Sequence, residues 1–292
     1  MIDLHTHTNS SDGSSSPSDL LRASHKIGLK ALAITDHDTL AGFDAALPLA
    51  RECGVELICG IELSTQLENP GQRRLSVHVL GYFLHQPPGD EFRNWLTSIS
   101  ATRRQRNLEL MERLRGSNIN ISWEDFAGLG PERAARPHFA RVLVAKGYVP
   151  NSQSAFDLYL SDAALAGIER ELPSPPEAIQ RIRQNGGIAS LAHPGRLGLS
   201  PPSALKALIG KLIPYGLGAI EAYHSDHTPE ETSVLLQVAE EFNLPVTGGS
   251  DFHGANKPDI HLGSGRHGNV RVPDEVLERM RVLVAVDGNL ET

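Results

Sequence analysis

Two histidines separated by one residue stand at the start of the sequence, in Asp3-Leu4-His5-Thr6-His7. Alternation along a strand puts His5 and His7 on one face, which makes a two-pronged chelate. Asp251-Phe252-His253 repeats that spacing with a carboxylate in place of one imidazole. Glu62 carries two oxygens with which to bridge two cations. With Asp12, His37, His78 and His193 the chain offers nine candidate ligands, too many for one ion. Mixed imidazole and carboxylate donors suit Mn²⁺, Fe²⁺ or Zn²⁺ better than Ca²⁺ or Mg²⁺. Histidine is abundant throughout: 13 residues, against 15 Phe, Tyr and Trp together.

Elements that position these side chains can be read from the same sequence. Over the first 85 residues short apolar runs alternate with helical patterns, the signature of strand–helix–strand units and a mainly parallel sheet. Strands are expected at Ile2 to Leu4, Ala31 to Thr35, Val55 to Ile61 and Leu75 to Phe83. Helices are expected from Ser16 to Gly28 and from about Thr39 to Cys53. After Pro173 the alternation resumes, with strands at Ile188 to Ala192, Leu217 to Ala222 and Pro245 to Gly249. Between the two blocks Phe92, Trp95, Leu96 and Ile99, then Leu108, Met111 and Leu114, recur at helical spacing. The expected fold is an α/β, distorted seven-stranded β/α (TIM-like) barrel. Its parts are residues 1–89, a helical insertion or lid at 90–172, and residues 173–292. Each strand carries or ends beside a metal-type side chain, and in such barrels the carboxyl ends of the strands converge on one mouth.

Composition narrows the function classes. With 40% hydrophobic and 21% charged residues the chain can bury a core. No run approaches the roughly 18 apolar residues of a membrane helix. A net charge of −8 argues against a general nucleic-acid coat. Two cysteines, Cys53 and Cys59, cannot build a disulfide framework and suit a reducing cytoplasm. No obligate protein partner is evident.

Six short segments occur in a telling order: Asp3-Leu4-His5-Thr6-His7, Asp12-Gly13, Thr35-Asp36-His37-Asp38, Gly60-Ile61-Glu62, Ala192-His193-Pro194 and Ser250-Asp251-Phe252-His253. Together they resemble the ordered motifs of the PHP (polymerase and histidinol phosphatase) family. That resemblance implies a two- or three-metal phosphoesterase centre, manganese being the first choice of ion. Carried over motif by motif, His5, His7, Glu62 and Asp251 would hold one ion, Glu62, His78 and His193 a second, and Asp12, His37 and His253 a third. One position departs from much of the family, where the third-site ligand after His-Thr-His is often histidine; here it is Asp12. The short chain and its insertion most resemble the stand-alone branch acting on nucleoside 3′,5′-bisphosphates or on the 5′ ends of short RNAs. The implied reaction is release of the 3′-phosphate by attack of a water activated between cations, with Glu62, His193 and Asp251 at its centre. A 5′-to-3′ exonuclease on short oligonucleotides is the alternative. A non-catalytic regulatory module is disfavoured because no ligand is missing.

Substrate phosphate needs positive charge near an acidic mouth. Arg196, three residues after His193, and Arg136 in the insertion are expected phosphate clamps, since a guanidinium meets phosphate with two parallel hydrogen bonds. Arg133, His138 and His224 are further substrate-binding candidates. Arg103, Arg104 and Arg106 read as a solvated helix face, Glu221 as support for a ligand, and Asp3 and Asp36 as residues that orient neighbouring histidines. His25, His85, His261 and His267 read as ordinary surface residues.

Overall fold

Ile2, Leu4, Leu32, Ile34, Leu63 and Leu80 are almost completely buried, as strands covered on both faces require. The computed structural model describes residues 1–68, 74–126, 128–161, 163–168, 170–200 and 202–288. Seven strands form one sheet in sequential order: β1 (Ile2–Asp3), β2 (Ala31–Ile34), β3 (Glu56–Leu67), β4 (Leu75–Phe83), β5 (Ile188–Leu191), β6 (Leu217–His224) and β7 (Val246–Gly249). β1, β2 and β3 run parallel, as do β5, β6 and β7. Backbone bonds tie the two outer strands at their ends: Leu4 N–H donates to Gly248 O at 3.2 Å, and Asp251 N–H to His5 O at 2.8 Å. The sheet is therefore a nearly closed seven-stranded barrel.

β4 departs from the expected pattern, because it runs antiparallel to both neighbours. The segment between Leu67 and Leu75 is too short for the crossover helix that a parallel pair needs, so β3 and β4 form a hairpin. His78 consequently lies toward the amino end of its strand, not the carboxyl end. It pairs with Ser64, two residues beyond Glu62, and so reaches the same rim.

α1 (Pro17–Lys26) starts at Ser16, whose Oγ accepts the Asp19 N–H, and turns Leu20, Leu21 and Ser24 inward. α2 is Ala41–Cys53. α3 (Asp90–Gly116), α4 (Arg136–Ala145) and α5 (Ser152–Ala155) follow β4. α6 (Pro175–Gln184), α7 (Pro202–Leu212), α8 (Pro229–Glu241) and α9 (Glu275–Gly288) accompany the later strands. Among the barrel helices, α1, α6 and α8 begin on side-chain caps that satisfy a first-turn N–H, whereas α2 has none. α8 opens on a capping box: Thr228 Oγ1 accepts the Glu231 N–H, and Glu231 accepts the Thr228 N–H. A small hairpin, β8 (Ile260–His261) with β9 (Gly265–Arg266), precedes α9.

Inside the barrel Tyr82, Ile58, Leu80, Ala192 and Val272 pack with Ile2 and Leu4. The Tyr82 hydroxyl donates to Leu4 O at 2.9 Å, so its polar end is satisfied in the core.

The chain divides into two compact units, Met1–Arg93 with Pro173–Thr292, and Asn94–Leu172. The second has its own core of Leu110, Met111, Leu114, Phe126, Phe139 and Leu143. Phe126 and Phe139 meet edge to face at 4.7 Å. The expectation of a solvated Arg103–Arg106 face fails here, since only Arg104 is exposed while Arg103 and Arg106 are buried. Positions 103, 106, 107, 110 and 114 share one helical stripe, so both arginines fall on the face that carries Leu110 and Leu114. Burial, with the guanidinium groups of Arg170, Arg103 and Arg136 nearby, lowers Arg106 to about 9.

Candidate metal centre

Backbone strain marks where the ligands leave the barrel. His193 has φ 28° and Asp251 φ 56°, a region that side chains other than glycine rarely adopt. Each lies two residues beyond the end of its strand, β5 or β7. Asp3, at the end of β1, accepts the Ser250 N–H, the Ser250 hydroxyl and the Gly263 N–H, so it pins the segment that carries Asp251. Asp36 does the same for the loop after His7, accepting from Thr8 N–H and from the hydroxyls of Thr8 and Ser11. Both carboxylates act on backbone N–H groups, and Asp3 also accepts the N–H of its neighbour His5 at 3.3 Å. Gly249 is obligatory by space: a Cβ there would lie 2.3 Å from the His5 nitrogen.

Glu62 lies at the middle of the assembly, 1% exposed. Its two oxygens face different imidazoles. Oε1 meets His78 Nδ1 at 2.6 Å and His193 Nε2 at 2.8 Å. Oε2 meets His7 Nε2 at 3.1 Å, His5 Nε2 at 3.3 Å and His37 Nδ1 at 3.3 Å. Asp251 Oδ1 completes the second group, 3.3 Å from His7 Nε2 and 3.5 Å from His5 Nε2. Asp12 gathers a third set, with His253 Nε2 at 3.2 Å and His37 Nε2 and His7 Nδ1 each at 3.7 Å.

Among the described residues five groups of potential ligand atoms lie within 4.8 Å of one another, three of them made wholly of ligands expected from sequence: His5, His7, Glu62 and Asp251; His37, Glu62 and His78; and His7, Asp12, His37 and His253. The other two are His5, Glu221 and His224, and His224, Asp226 and Asp251. All nine residues singled out from sequence are brought together. Their division differs: His37 joins Glu62 and His78 where His193 was expected, His193 falls in none of these groups although its Nε2 lies 2.8 Å from Glu62 Oε1, and His7 and His37 each face two carboxylates. The donors also fit a cation chemically. Both nitrogens of His7, with His37 Nδ1 and His193 Nδ1, are buried without a hydrogen-bond partner, a costly state for groups with nothing to bind.

Tautomers follow from the neighbours. His5 Nδ1–H donates to Glu221 Oε1 at 2.8 Å, and His253 Nδ1–H donates to Asp251 O at 2.8 Å. Each thereby turns its Nε2 toward the carboxylates, the orientation a metal-ligating histidine needs. The other Glu221 oxygen accepts the His193 backbone N–H at 2.7 Å, so one carboxylate fixes two candidate ligands.

Charge is divided unevenly. Burial works against ionised carboxylates, yet the surrounding imidazoles outweigh it and hold Glu62 and Asp12 well below the usual carboxylate range. For Asp251, Lys257 outweighs burial first, then His253 and His5. Burial also opposes protonated His7, but Asp251, Glu62 and Asp12 raise it to about 9. Burial prevails at His37 and His193, lowering them to about 4 and about 3. Protons on His5 and His7 therefore occupy the position a cation would take.

The residues proposed from sequence to bind substrate fall in several places. Arg196 is half-exposed, with NH1 3.6 Å from Asp251 Oδ2. His224 is buried, and its Nδ1 accepts the Asp226 N–H, so Nε2 carries the proton and faces Asp251 Oδ2 at 3.4 Å. His227 holds the turn that carries Arg196, accepting the Gly195 N–H and donating to Ala222 O. In the other unit, Arg136 donates to Leu160 O, and exposed Arg133 donates to Gly128 O. His138 Nδ1 accepts the Ala135 N–H and so caps α4. One charged residue was not found by sequence reasoning: Lys257, whose Nζ is 2.7 Å from Asp251 Oδ2. Its signal was a lysine six positions beyond a candidate ligand.

The PHP domain model matches residues 3–167. A 5′-3′ exoribonuclease of Haemophilus influenzae is 35% identical over 251 residues, 86% of this chain and 89% of that protein. The chain belongs to the PHP domain family. This PHP domain is also 29% identical to a 3′,5′-nucleoside bisphosphate phosphatase of Chromobacterium violaceum, across 90% of each chain. A Bifidobacterium adolescentis crystal structure assigned to the metal-dependent phosphoesterases superposes with a TM-score of 0.80, at 31% identity over 96% of this chain and 94% of that one. The PHP domain here is accordingly a metal-dependent phosphoester hydrolase. Among the described residues no helix is long and apolar enough to cross a membrane.

Proposed function

We propose that this chain removes the 3′-phosphate from nucleoside 3′,5′-bisphosphates, such as adenosine 3′,5′-bisphosphate, giving the 5′-monophosphate and inorganic phosphate. The observation that carries this reading is the central Glu62, with one oxygen turned to His78 and His193 and the other to His5, His7 and His37. A carboxylate so placed suits two cations sharing a ligand. The relative named as a bisphosphate phosphatase, aligned along nearly the whole chain, supports the substrate class.

Two or three divalent ions are proposed, manganese first, held by His5, His7, Glu62 and Asp251, by Glu62, His78 and His193, and by Asp12, His37 and His253. When bound, these ions supply Lewis acidity that activates water at neutral pH and neutralises phosphoryl oxygens. The chain supplies position. Glu221 keeps the His5 ring turned toward Glu62 and fixes the strained His193 backbone. Burial of Glu62, His5 and His7 excludes bulk water and strengthens each charge interaction. Arg196 is proposed to clamp a phosphoryl oxygen, with the His224 Nε2–H as a further donor. The free thiols of Cys53 and Cys59 support a reducing, cytoplasmic setting.

The decisive assay is phosphate release from a 3′,5′-bisphosphate by manganese-loaded protein, with the metal content of the sample measured. Fully loaded protein that releases no phosphate sinks the proposal. A second reading, 5′-to-3′ exonuclease action on short 5′-phosphorylated oligonucleotides, is favoured by the 35% identical relative named for that activity. Gel analysis of a 5′-phosphorylated RNA separates the two: stepwise shortening from the 5′ end supports the exonuclease.

A further inference from the structure

Asp251 presents two distinct edges. Oδ1 faces the imidazoles of His5, His7 and His253 at 3.3 to 3.5 Å. Among the described residues Oδ2 faces nitrogen donors: Lys257 Nζ at 2.7 Å, His224 Nε2 at 3.4 Å and Arg196 NH1 at 3.6 Å. One buried oxygen thus faces two permanent cations and one N–H. Two further acids lie nearby, so that Asp251, Asp226 and Asp259 together match Lys257, Arg196 and Arg266. Asp226, 3.8 Å from Arg196 Nε, also pairs with Arg266 at 3.1 Å, and Arg266 itself pairs with Asp259.

The donors are held in place. His224 has its tautomer set by the Asp226 N–H, and its Nε2 is buried with no hydrogen-bond partner. Arg196 stands on the turn that His227 fixes. Lys257 follows a short turn, Gly254–Asn256, pinned to the loop after His7 by Ala255 N–H to Ser14 Oγ at 2.7 Å and Asn256 Nδ2 to Asp12 O at 2.8 Å. Lys257 and Arg196 are partly exposed, whereas Asp251 and His224 are buried. The cationic heads therefore lie on the solvent side of the ligand set.

A cation held by Asp251 would draw on the same carboxylate that now offsets Lys257 and Arg196. Both heads then need another anion, and a tetrahedral phosphoryl group offers several acceptor oxygens to converging donors. We propose that Lys257, with Arg196 and the His224 Nε2–H, forms a phosphoryl cradle on the Oδ2 side of Asp251, which binds the phosphate under attack and then the inorganic phosphate released. This rests on the phosphoester reading above, but not on the nucleotide.

Calorimetric titration of inorganic phosphate into manganese-loaded protein tests it, with metal per chain measured on the same samples. Lys257→Met should weaken phosphate binding by about tenfold or more at unchanged metal content, the scale of a lost charge-assisted hydrogen bond. Lys257→Arg should recover most of the affinity, and His224→Gln, whose amide can still donate, should fall less than His224→Ala. Phosphate affinity in Lys257→Met within twofold of wild type overturns the cradle, and so does undetectable phosphate binding by the loaded wild type. Loss of metal in parallel with phosphate overturns it too, because Lys257 would then only hold Asp251. Loaded wild type that binds phosphate in this Lys257-dependent way but leaves bisphosphates intact sinks the nucleotide reading alone.

Discussion

Glu221 touches no predicted substrate atom, yet it sets two ligands at once. A carboxylate accepts from both the His5 ring and the His193 backbone, whereas an amide would turn an NH₂ toward one of those donors. Glu221→Gln should therefore weaken metal binding by about 10- to 100-fold with the fold retained, as measured by chelator competition and circular dichroism. Asp251→Asn or His5→Asn removes a ligand itself and should lower turnover by roughly 100-fold or more, read as kcat of samples incubated with excess manganese. The histidine protons give a pH dependence with a definite sign. His7 is raised to about 9 in the metal-free protein, so its contribution to stability is complete below about 6.5 and is lost as pH rises through about 9. Metal-free protein should melt lower at pH 9 than at pH 6.5, while metal-loaded protein, whose ligands carry no such protons, should lack this loss. Scanning calorimetry at the two pH values checks it. Which residues would be ligands was legible because the motifs are short and local. Lys257 was not, because a lone lysine in a loop has no periodicity or paired partner to announce it.

Strands and their turns decide where those side chains point. The start of α1 was readable from Ser16-Pro17, and β4 falls on the expected residues. Its direction was encoded as well, in the shortness of the segment between Leu67 and Leu75, but only a comparison with the length of a crossover connection brings that out. The buried arginines of α3 carry a similar lesson: charge suggested solvent, while the i, i+3, i+4 stripe through Arg103, Arg106 and Leu110 pointed to the core. At the junction of β1 and β7, Gly249→Ala should destabilise the protein by about 1–3 kcal/mol, because the added methyl meets the His5 backbone. Urea unfolding of the metal-free variant measures it free of any change in metal loading.

For the molecule as a whole, candidate ligands from His5 to His253 come from nearly every part of the barrel unit, so a bound ion ties together segments far apart in sequence. Stripping metal with a chelator should abolish phosphate release and lower the melting temperature, and manganese should restore both. Unchanged melting after verified metal removal would show that the centre forms without help from its ions.

Sequence alone determined the family, the barrel and the identity of nine candidate ligands, because alternation, caps and ordered motifs are local properties of the chain. Only the tertiary structure decided how those ligands divide, with Glu62 turned two ways, His7 and His37 each between two carboxylates, and Lys257 beside Asp251. Those relations depend on strand direction and on side chains brought within about 3 Å across long separations in sequence, and no local pattern records such distances.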